Sequence, residues 1–407
     1  MKRYFLPLLI VLILIFYGCK TGYVTVDGNV KPMPHASLLN AIDSVRQKLV
    51  PDLRDNVFEI TALQTGEKTV LKGFTNLPEA KSELLAVITG KPVKTVDSIV
   101  VLPDKSVGNE VYGVINVSVA DMRTEGDYSA EMATQLLLGA PVDVLQHKGW
   151  WRVKSAEGYV AWMPGSSFVR MNKSNFNIWT SASKIIFTDT YGFAYEQADE
   201  TKGRFADLVF GNMLKLEADS GRFYKVAYPD GKTAYVLKNQ CTTYEAWKKS
   251  INLTEESIIT KALTLKGIPY TWGGTSTKMM DCSGFSKTVY LMHGIMLRRD
   301  ASQQALTGIP VDISAGYDNL RPGDLMFFGR KGTDGKKDRV RHVGIYLGNK
   351  EFIHEAGKVQ INSLDASKPN HDAHNTREFI SARRVIGAVN TLGISELDKV
   401  PLYCKQE

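Results

Sequence analysis

The stretch KMMDCSGFSKTVYLMHG, Lys278–Gly294, places one cysteine where a polar segment changes into an apolar pattern. Apolar residues then recur at helical spacing: Phe285, Val289 and Met292. The pattern predicts a helix that begins at or near Cys282. The unpaired amides and the dipole of a helix N-terminus favour a thiolate over a thiol. A lone cysteine is more often a buried structural residue, but the polar neighbours Asp281 and Ser283 argue against a core position. Cys282 is therefore a candidate nucleophile.

A nucleophilic cysteine needs a base, and the base needs an orienting group. Downstream, RHVGIYLGNKEFIHEAG (341–357) predicts a β-hairpin with His342 at the start of the first strand and His354 at the end of the second. Their midpoint is Gly348, so a loop of odd length centred there would set the two imidazoles opposite each other on one face. A two-residue loop would set them on opposite faces. A triad of Cys282, His342 as base and His354 as orienting residue requires the odd loop.

The chain begins MKRYFLPLLIVLILIFYGCK, which has the features of an export signal. Two basic residues precede an apolar run that is short for a membrane span, and the run ends at Gly18-Cys19. A small residue followed by cysteine resembles the processing site of bacterial lipoproteins. We expect 1–18 to be a signal peptide and Cys19 to be lipidated, which anchors an exported protein to the cell-envelope membrane. Ordinary signal cleavage and an uncleaved anchor are the alternatives.

Export changes how the four cysteines are interpreted. With Cys19 lipidated, three thiols remain in an oxidising compartment, so at least one stays unpaired. Cys241 and Cys404 flank the last third of the chain and are candidates for a disulfide. Cys282 is the odd thiol.

Pattern changes divide the remaining chain into several units. We expect a tether at 19–36, a small α/β unit of unassigned role at 37–104, and a short tail at 396–407. Leu136–Trp162 and Leu208–Val236 form an internal repeat of short strands and Gly-containing turns. The repeat resembles bacterial SH3-like domains and predicts two small β-barrels, at 105–170 and 171–249. A final domain is expected at 250–395.

The composition excludes some functions and permits others. The 407 residues are 43% hydrophobic, which is ample for several packed cores. The net charge of +7 suits an acidic polymer or an anionic surface. No dense block of Lys and Arg indicates nucleic-acid binding.

Five motifs in the last domain occur in the order typical of NlpC-type peptidases: IPYTWGG, DCSGF, RRDASQQ, LRPGDLMFF and HVGIYLG…FIHEAG. The resemblance covers about 250–390. It implies an α+β fold of the papain-like class, with a cysteine-bearing helix packed on an antiparallel sheet that carries both histidines. It also implies that Cys282 is the nucleophile, His342 the base and His354 the third member. Tyr270 is either a contact to the oxyanion or a core tyrosine.

The layout of two SH3-like barrels before this domain resembles γ-D-glutamyl-L-diamino acid endopeptidases, which include dipeptidyl-peptidase VI. These enzymes cut peptidoglycan-derived tri- or tetrapeptides that carry a free N-terminal L-Ala, between D-Glu and the diamino acid. The resemblance implies five substrate contacts: Glu131, Tyr159, Asp281, Ser283 and Asp300. Ala301 departs from the pattern, since relatives often carry Ser there. Glu131 as an ordinary solvated charge is the alternative.

Other functions remain open at this stage. An amidase or acyltransferase would use the same triad, and a non-catalytic peptidoglycan-binding lipoprotein would have no need of all three residue types. His371 and His374 suggest a zinc site, but no cysteine or acidic partner lies at ligand spacing, so an exposed loop is favoured. The prediction is therefore an enzyme without metal or cofactor; the sequence leaves the oligomeric state open, with a monomer favoured.

Overall fold

The computed structural model of the protein describes residues 36–66, 68–89, 94–404 and 406. The predicted signal peptide, the lipidation site at Cys19 and the tether through residue 35 lie outside the described residues. Within the described ranges, no helix is both long enough and apolar enough to cross a membrane.

The N-terminal unit is a three-stranded sheet packed against two helices. The elements are α1 (Ala36–Leu49), β1 (Phe58–Thr65), β2 (Lys68–Thr75), α2 (Pro78–Ile88) and β3 (Lys94–Val101). β1 pairs antiparallel with β2, and β2 pairs parallel with β3. The apolar residues of α1 that recur at helical spacing pack with Leu71 and Leu84 in one core. The unit contains both helices and strands, as expected for a small α/β unit.

Two seven-stranded sheets follow. The first comprises β4 (Tyr112–Ile115), β5 (Val119–Arg123), β6 (Met132–Leu137), β7 (Pro141–Lys148), β8 (Trp150–Ser155), β9 (Val160–Met163) and β10 (Phe168–Met171), with a 3₁₀ helix at Gly165–Ser167. The second comprises β11 (Lys184–Phe187), β12 (Tyr191–Tyr195), β13 (Arg204–Val209), β14 (Met213–Ser220), β15 (Phe223–Ala227), β16 (Thr233–Leu237) and β17 (Cys241–Thr243). It is flanked by α3 (Lys173–Ser181) and α4 (Tyr244–Ser250).

The two sheets share one strand order. The first runs β10-β4-β7-β8-β9-β5-β6, and the second runs β17-β11-β14-β15-β16-β12-β13. Each strand of the first sheet therefore has a counterpart at the same position in the second. The internal repeat read from the sequence is confirmed as a structural repeat.

The last region mixes helices with a six-stranded antiparallel sheet. Its helices are α5 (Glu255–Thr264), α6 (Cys282–Leu291), α7 (Ala301–Gln304) and α8 (Ala373–Glu378). The sheet has the order β21-β26-β22-β23-β24-β25. Its strands are β21 (Ile309–Val311), β22 (Leu325–Arg330), β23 (Arg339–Gly348), β24 (Glu351–Glu355), β25 (Val359–Ser363) and β26 (Phe379–Arg384). Short strands form two further pairs: β18 (Thr275–Ser276) with β19 (Met279–Met280), and β20 (Ile295–Leu297) with β27 (Ile394–Glu396).

Helix α6 packs on this sheet through a buried apolar core. Phe285 and Val289 of the helix meet Val343 and Ile353 of the sheet. The segment after residue 395, predicted as a tail, forms 3₁₀ helices at Leu397–Lys399 and Pro401–Tyr403 and packs into the same core. The papain-like expectation of a cysteine-bearing helix on an antiparallel sheet matches this arrangement.

A buried ion pair joins α6 to the first seven-stranded sheet. Lys287 Nζ lies 2.6 Å from Glu157 Oε1, and both side chains are largely buried. Burial acts to raise the pKa of Glu157, but the Lys287 ammonium and the hydrogen bonds to the carboxylate together lower it. Since breaking one partner of a buried pair leaves an uncompensated charge, this contact fixes α6 against the sheet.

Candidate active site

Helix α6 begins at Cys282, as the sequence predicts, because Asp281 caps it. Asp281 Oδ1 accepts from the amide of Gly284 at 2.7 Å, and Oδ2 accepts from the amide of Gly273 at 3.0 Å. Cys282 is then the first helical residue, and only 9% of it is exposed. The backbone of Val343, the residue after His342, lies close enough to the sulfur to act on the pKa of the thiol. The candidate nucleophile thus lies beside the strand that carries the candidate base.

The hairpin that carries the two histidines turns through two residues. Asn349 and Lys350 have φ values of 51° and 63°, which is the type I′ geometry that matches the twist of paired strands. The expectation of an odd loop centred on Gly348 is therefore wrong. However, Leu347 is an extra residue between the pairs Tyr346–Phe352 and Gly348–Glu351. This bulge shifts the register of the two strands by one residue. It therefore places His342 and His354 on the same face of the sheet, whereas a two-residue turn without a bulge would place them on opposite faces.

The bulge places the two imidazoles on one face as diagonal neighbours. His354 lies opposite Gly344, and His342 is two residues further along the strand. His342 Nε2 and His354 Nδ1 are 2.7 Å apart. A Cβ at Gly344 would lie 3.2 Å from the Cβ of His354, so the glycine leaves the space through which the rings meet. The prediction that both imidazoles lie on one face is confirmed, but the prediction that the two histidines lie directly opposite each other is wrong.

A chain of hydrogen bonds sets the tautomers of both histidines. Asn362 Nδ2 donates to the carbonyl of Asn370 at 3.1 Å, which leaves Asn362 Oδ1 as an acceptor 2.9 Å from His354 Nε2. His354 Nε2 therefore carries a proton, and its Nδ1 accepts from His342 Nε2. The unprotonated nitrogen of His342 is then Nδ1. The carbonyl oxygen of Asn370 can only accept a hydrogen bond. Each later bond in this chain therefore has a fixed donor and a fixed acceptor.

Burial dominates the charge state of the cysteine and its partner. It raises the pKa of Cys282 to about 12, with a further contribution from Asp281, although the Val343 backbone acts in the opposite direction. Burial, reinforced by His354, lowers the pKa of His342 to about 3. Both shifts favour the neutral thiol and the neutral imidazole, so burial opposes the thiolate that the helix N-terminus favours.

Arg299 connects the first sheet to the start of α6, and sequence reasoning missed it. It is 1% exposed and donates to Thr134 Oγ1 at 2.7 Å, to Asp281 Oδ2 at 2.6 Å and to Ser283 Oγ at 2.9 Å. The side chains of Asp281 and Ser283, predicted to contact substrate, are thus engaged within the protein. The sequence signal that could have indicated Arg299 was the pair of arginines in RRDASQQ, directly before Asp300.

The other predicted substrate residues are Glu131, Tyr159 and Asp300. Glu131, directly before β6, accepts from the indole of Trp272 at 2.7 Å and lines an open groove with it. Burial raises the pKa of Tyr159, and nearby Asp300, whose Oδ1 lies 3.9 Å from Arg299 NH1, raises it further. The structure therefore brings together residues from the first sheet, the start of α6 and the segment before α7.

Tyr270 lies near the candidate nucleophile. It is half-buried, and its amide donates to the carbonyl of Gly357 at 3.0 Å. Burial raises its pKa, and the nearby Cys282 and Asp281 raise it further. Its phenol is therefore a neutral O–H donor close to the sulfur.

Comparison with known proteins finds a matching family for two segments of the chain. Residues 267–378 match the NlpC/P60 family, and residues 122–168 match the bacterial dipeptidyl-peptidase Sh3 domain. The protein carries an NlpC/P60 domain and is a cysteine peptidase. The peptidase is 29% identical over 266 residues to gamma-D-glutamyl-L-lysine dipeptidyl-peptidase of Bacillus cereus. This alignment covers 63% of the chain and 76% of the relative.

Two further comparisons agree with this assignment. Dipeptidyl-peptidase 6 of Lysinibacillus sphaericus is 24% identical over 267 residues, covering 63% of the peptidase and 93% of the relative. The crystal structure of an NlpC/P60 family protein from Bacillus cereus aligns with a TM-score of 0.57 and 26% identity. That alignment covers 67% of the peptidase and 99% of the crystallised chain.

The remaining cysteines and histidines of the described ranges have local partners. Cys241 and Cys404 are free thiols that donate to the carbonyls of Leu237 and Asp398, so they do not form the candidate disulfide. His371 Nδ1 lies 3.1 Å from the carbonyl of Ser363. Among the described residues, no group of three or more potential ligands is arranged for a metal ion.

Glu355, the residue after His354, gives the peptidase a pH-dependent stability. It is 0% exposed, and neither carboxylate oxygen has a hydrogen-bond partner among the described residues. Burial, with a contribution from Asp281, raises its pKa to about 7 from the ordinary 4.5. Since the folded pKa lies above the unfolded one, ionisation costs stability as pH rises from about 4.5 to above 7.

We expect Glu355→Gln to unfold like the parent near pH 4.5 but to be about 3 kcal/mol more stable near pH 8. Urea unfolding at the two pH values measures the difference. Glu351→Gln, which removes a carboxylate of the same strand that is hydrogen-bonded to Asn370 in the parent, is the matched control. An equal gain at both pH values would contradict the assignment.

Proposed function

We propose that the peptidase hydrolyses the γ-D-glutamyl-L-diamino acid bond of peptidoglycan-derived peptides that carry a free N-terminal L-Ala. The contact that carries this proposal joins Glu131 of the first sheet to Trp272 of the NlpC/P60 domain. It brings a carboxylate to the groove beside the Asp281–Arg299 cluster, where it can pair with a substrate ammonium. The names of the dipeptidyl-peptidase relatives support the same substrate class.

In the proposed reaction, Cys282 is the nucleophile and His342 is the base. As the sulfur attacks the γ-carbonyl carbon of D-Glu, its proton passes to His342 Nδ1, the nitrogen that the hydrogen-bond chain leaves unprotonated. Both partners begin neutral, so charge develops only as the C–S bond forms. His354, held by Asn362, accepts from His342 Nε2 and stabilises the imidazolium.

The oxyanion and the leaving group complete the cycle. The amide of Cys282, at the first helical position, has no intrahelical acceptor and is available to the oxyanion with the Tyr270 hydroxyl. Imidazolium His342 then protonates the leaving amine, the C–N bond breaks and a thioester remains. His342 next takes a proton from water, which attacks the thioester and releases L-Ala-D-Glu with the thiol restored.

We expect N-acetylation of the substrate to reduce kcat/KM at least about tenfold. A charge-assisted contact between Glu131 and the ammonium contributes roughly 1.5–3 kcal/mol, and about 1.4 kcal/mol is a factor of ten. The measurement compares L-Ala-γ-D-Glu-L-Lys and its diaminopimelate counterpart with their acetylated forms, with products identified by mass.

Glu131→Gln provides the matched variant. It removes the charge but keeps an oxygen that accepts from Trp272, so the contact between the domains is preserved. Cleavage of the free-amine peptide should fall, while the slow cleavage of the acetylated peptide stays nearly unchanged. Equal cleavage of both peptides by the parent, or products from another bond, would reject the proposal in favour of a general cell-wall amidase.

The surrounding architecture fits a peptidase of the cell envelope. We infer that both seven-stranded sheets are SH3-like barrels, since they share one strand order and the first includes the matched segment 122–168. Export, lipidation of Cys19 and anchoring to the membrane, with a monomeric mature protein, complete the proposal.

A further inference from the structure

The N-terminal unit docks against the first sheet and the segment around Asp300. The loop between α1 and β1 lies against the first sheet and the start of α7: the carbonyl of Arg54 accepts from the amide of Val160 at 2.7 Å, and Asp55 pairs with Arg298. This unit precedes both matched segments, 122–168 and 267–378, and had no predicted role.

Arg54 is the residue of this loop that contacts Asp300, one of the predicted substrate residues. Its NH1 donates to Asp300 Oδ2 at 2.7 Å and to Ser302 Oγ at 3.0 Å. Its Nε and NH2 donate to both oxygens of Asp52, at 2.8 and 2.7 Å. Asp52 also accepts from Gln303 at 2.9 Å, which ties it to the NlpC/P60 domain. A guanidinium held by such a two-point contact has a fixed orientation.

Asp300 lies where three parts of the molecule meet. It accepts from Arg54 of the N-terminal unit, lies close enough to Tyr159, before β9, to raise the pKa of that phenol, and follows Arg299, which donates to Asp281 at the start of α6. Only 27% of its side chain is exposed, so the loss of Arg54 would leave a partly desolvated carboxylate short of its cationic partner. It would also free Asp300 and Tyr159 to take other orientations.

We propose that Arg54 is a positioning residue for substrate recognition: by holding Asp300, and Tyr159 through it, Arg54 orders the part of the groove that receives the free N-terminal residue. The inference rests on the proposed function and makes the N-terminal unit a component of the specificity site. The unit thereby contributes to the choice of substrate without touching the reacting atoms.

The test measures kcat and KM of the full chain for free-amine and acetylated peptides. We expect Arg54→Ala to lower kcat/KM for the free-amine peptide about tenfold, mainly through KM, with little change for the acetylated peptide. Arg54→Lys keeps the charge and one donor, so it should recover to within about threefold of the parent. Glu59→Gln weakens the ion pair with Arg152 across the same interface, away from Asp300, and should leave the ratio unchanged.

Thermal unfolding of each variant separates positioning from stability. If Arg54→Ala and Arg54→Lys preserve the parent's preference for the free amine, or reduce cleavage of both peptides equally, Arg54 has only a structural role and the inference is overturned. A parent that cuts both peptides equally rejects the proposed function itself, which is a different result from a selective parent with unaffected variants.

Discussion

Cys282→Ala is expected to reduce peptide hydrolysis by roughly 10⁴-fold or more, because a methyl group cannot form the thioester intermediate. The variant should remain folded. The contacts that start α6 run from Asp281 to the amides of Gly284 and Gly273, and none uses the thiol. A thermal unfolding temperature within a few degrees of the parent, together with absent turnover, is the expected pair of results. Retained turnover would remove Cys282 from the nucleophile's role.

Alkylation measures the charge state of the same thiol. Cys404 is the competing site because it is only partly buried, whereas Cys241 is 5% exposed and burial raises its pKa to about 12. The experiment therefore uses a Cys404→Ser background. With the pKa of Cys282 near 12, the labelling rate should keep rising through about pH 9 to 10. A plateau from about pH 5 to 8 would instead show a preformed ion pair with His342.

Local patterns were sufficient to predict the elements of the site. The start of α6 followed from apolar residues at helical spacing after a polar Asp281, and the hairpin followed from two apolar runs around Gly348-Asn349. The repeat of short strands predicted two sheets, and the structure gives them one strand order. These features depend on neighbours within a few residues, so the sequence carries them directly.

The geometry within the site depends on less local facts. The bulge at Leu347 changes the register, although no residue type there signals one. Arg299 acts through Thr134, 165 residues away, and Arg54 reaches Asp300 across 246 residues. Such contacts depend on how separate units dock, and a pattern along the chain does not encode that. The raised pKa of Cys282 has the same origin, because burial is a property of the assembled site.

The histidine dyad provides the second large prediction. His342→Ala should reduce kcat by roughly 10²–10⁴-fold, since general-base catalysis contributes about that much. His354→Ala should cost less, because His354 orients and polarises the base but does not itself move the thiol proton. The site adds a discriminating variant: His354→Asn offers an oxygen that accepts from His342 Nε2, as His354 Nδ1 does now, and should retain more activity than alanine.

The ranking follows from the direction of the hydrogen-bond chain. The carbonyl of Asn370 orients Asn362, Asn362 fixes the tautomer of His354, and His354 leaves Nδ1 of His342 free for the thiol proton. A substitution further along this chain from the thiol should therefore reduce kcat less. Asn362→Ala should reduce kcat less than His354→Ala does. Steady-state kcat values of the four variants, with unfolding temperatures as controls, establish the order. A larger loss at His354 than at His342 would mean that the two roles are exchanged, with His354 as the base.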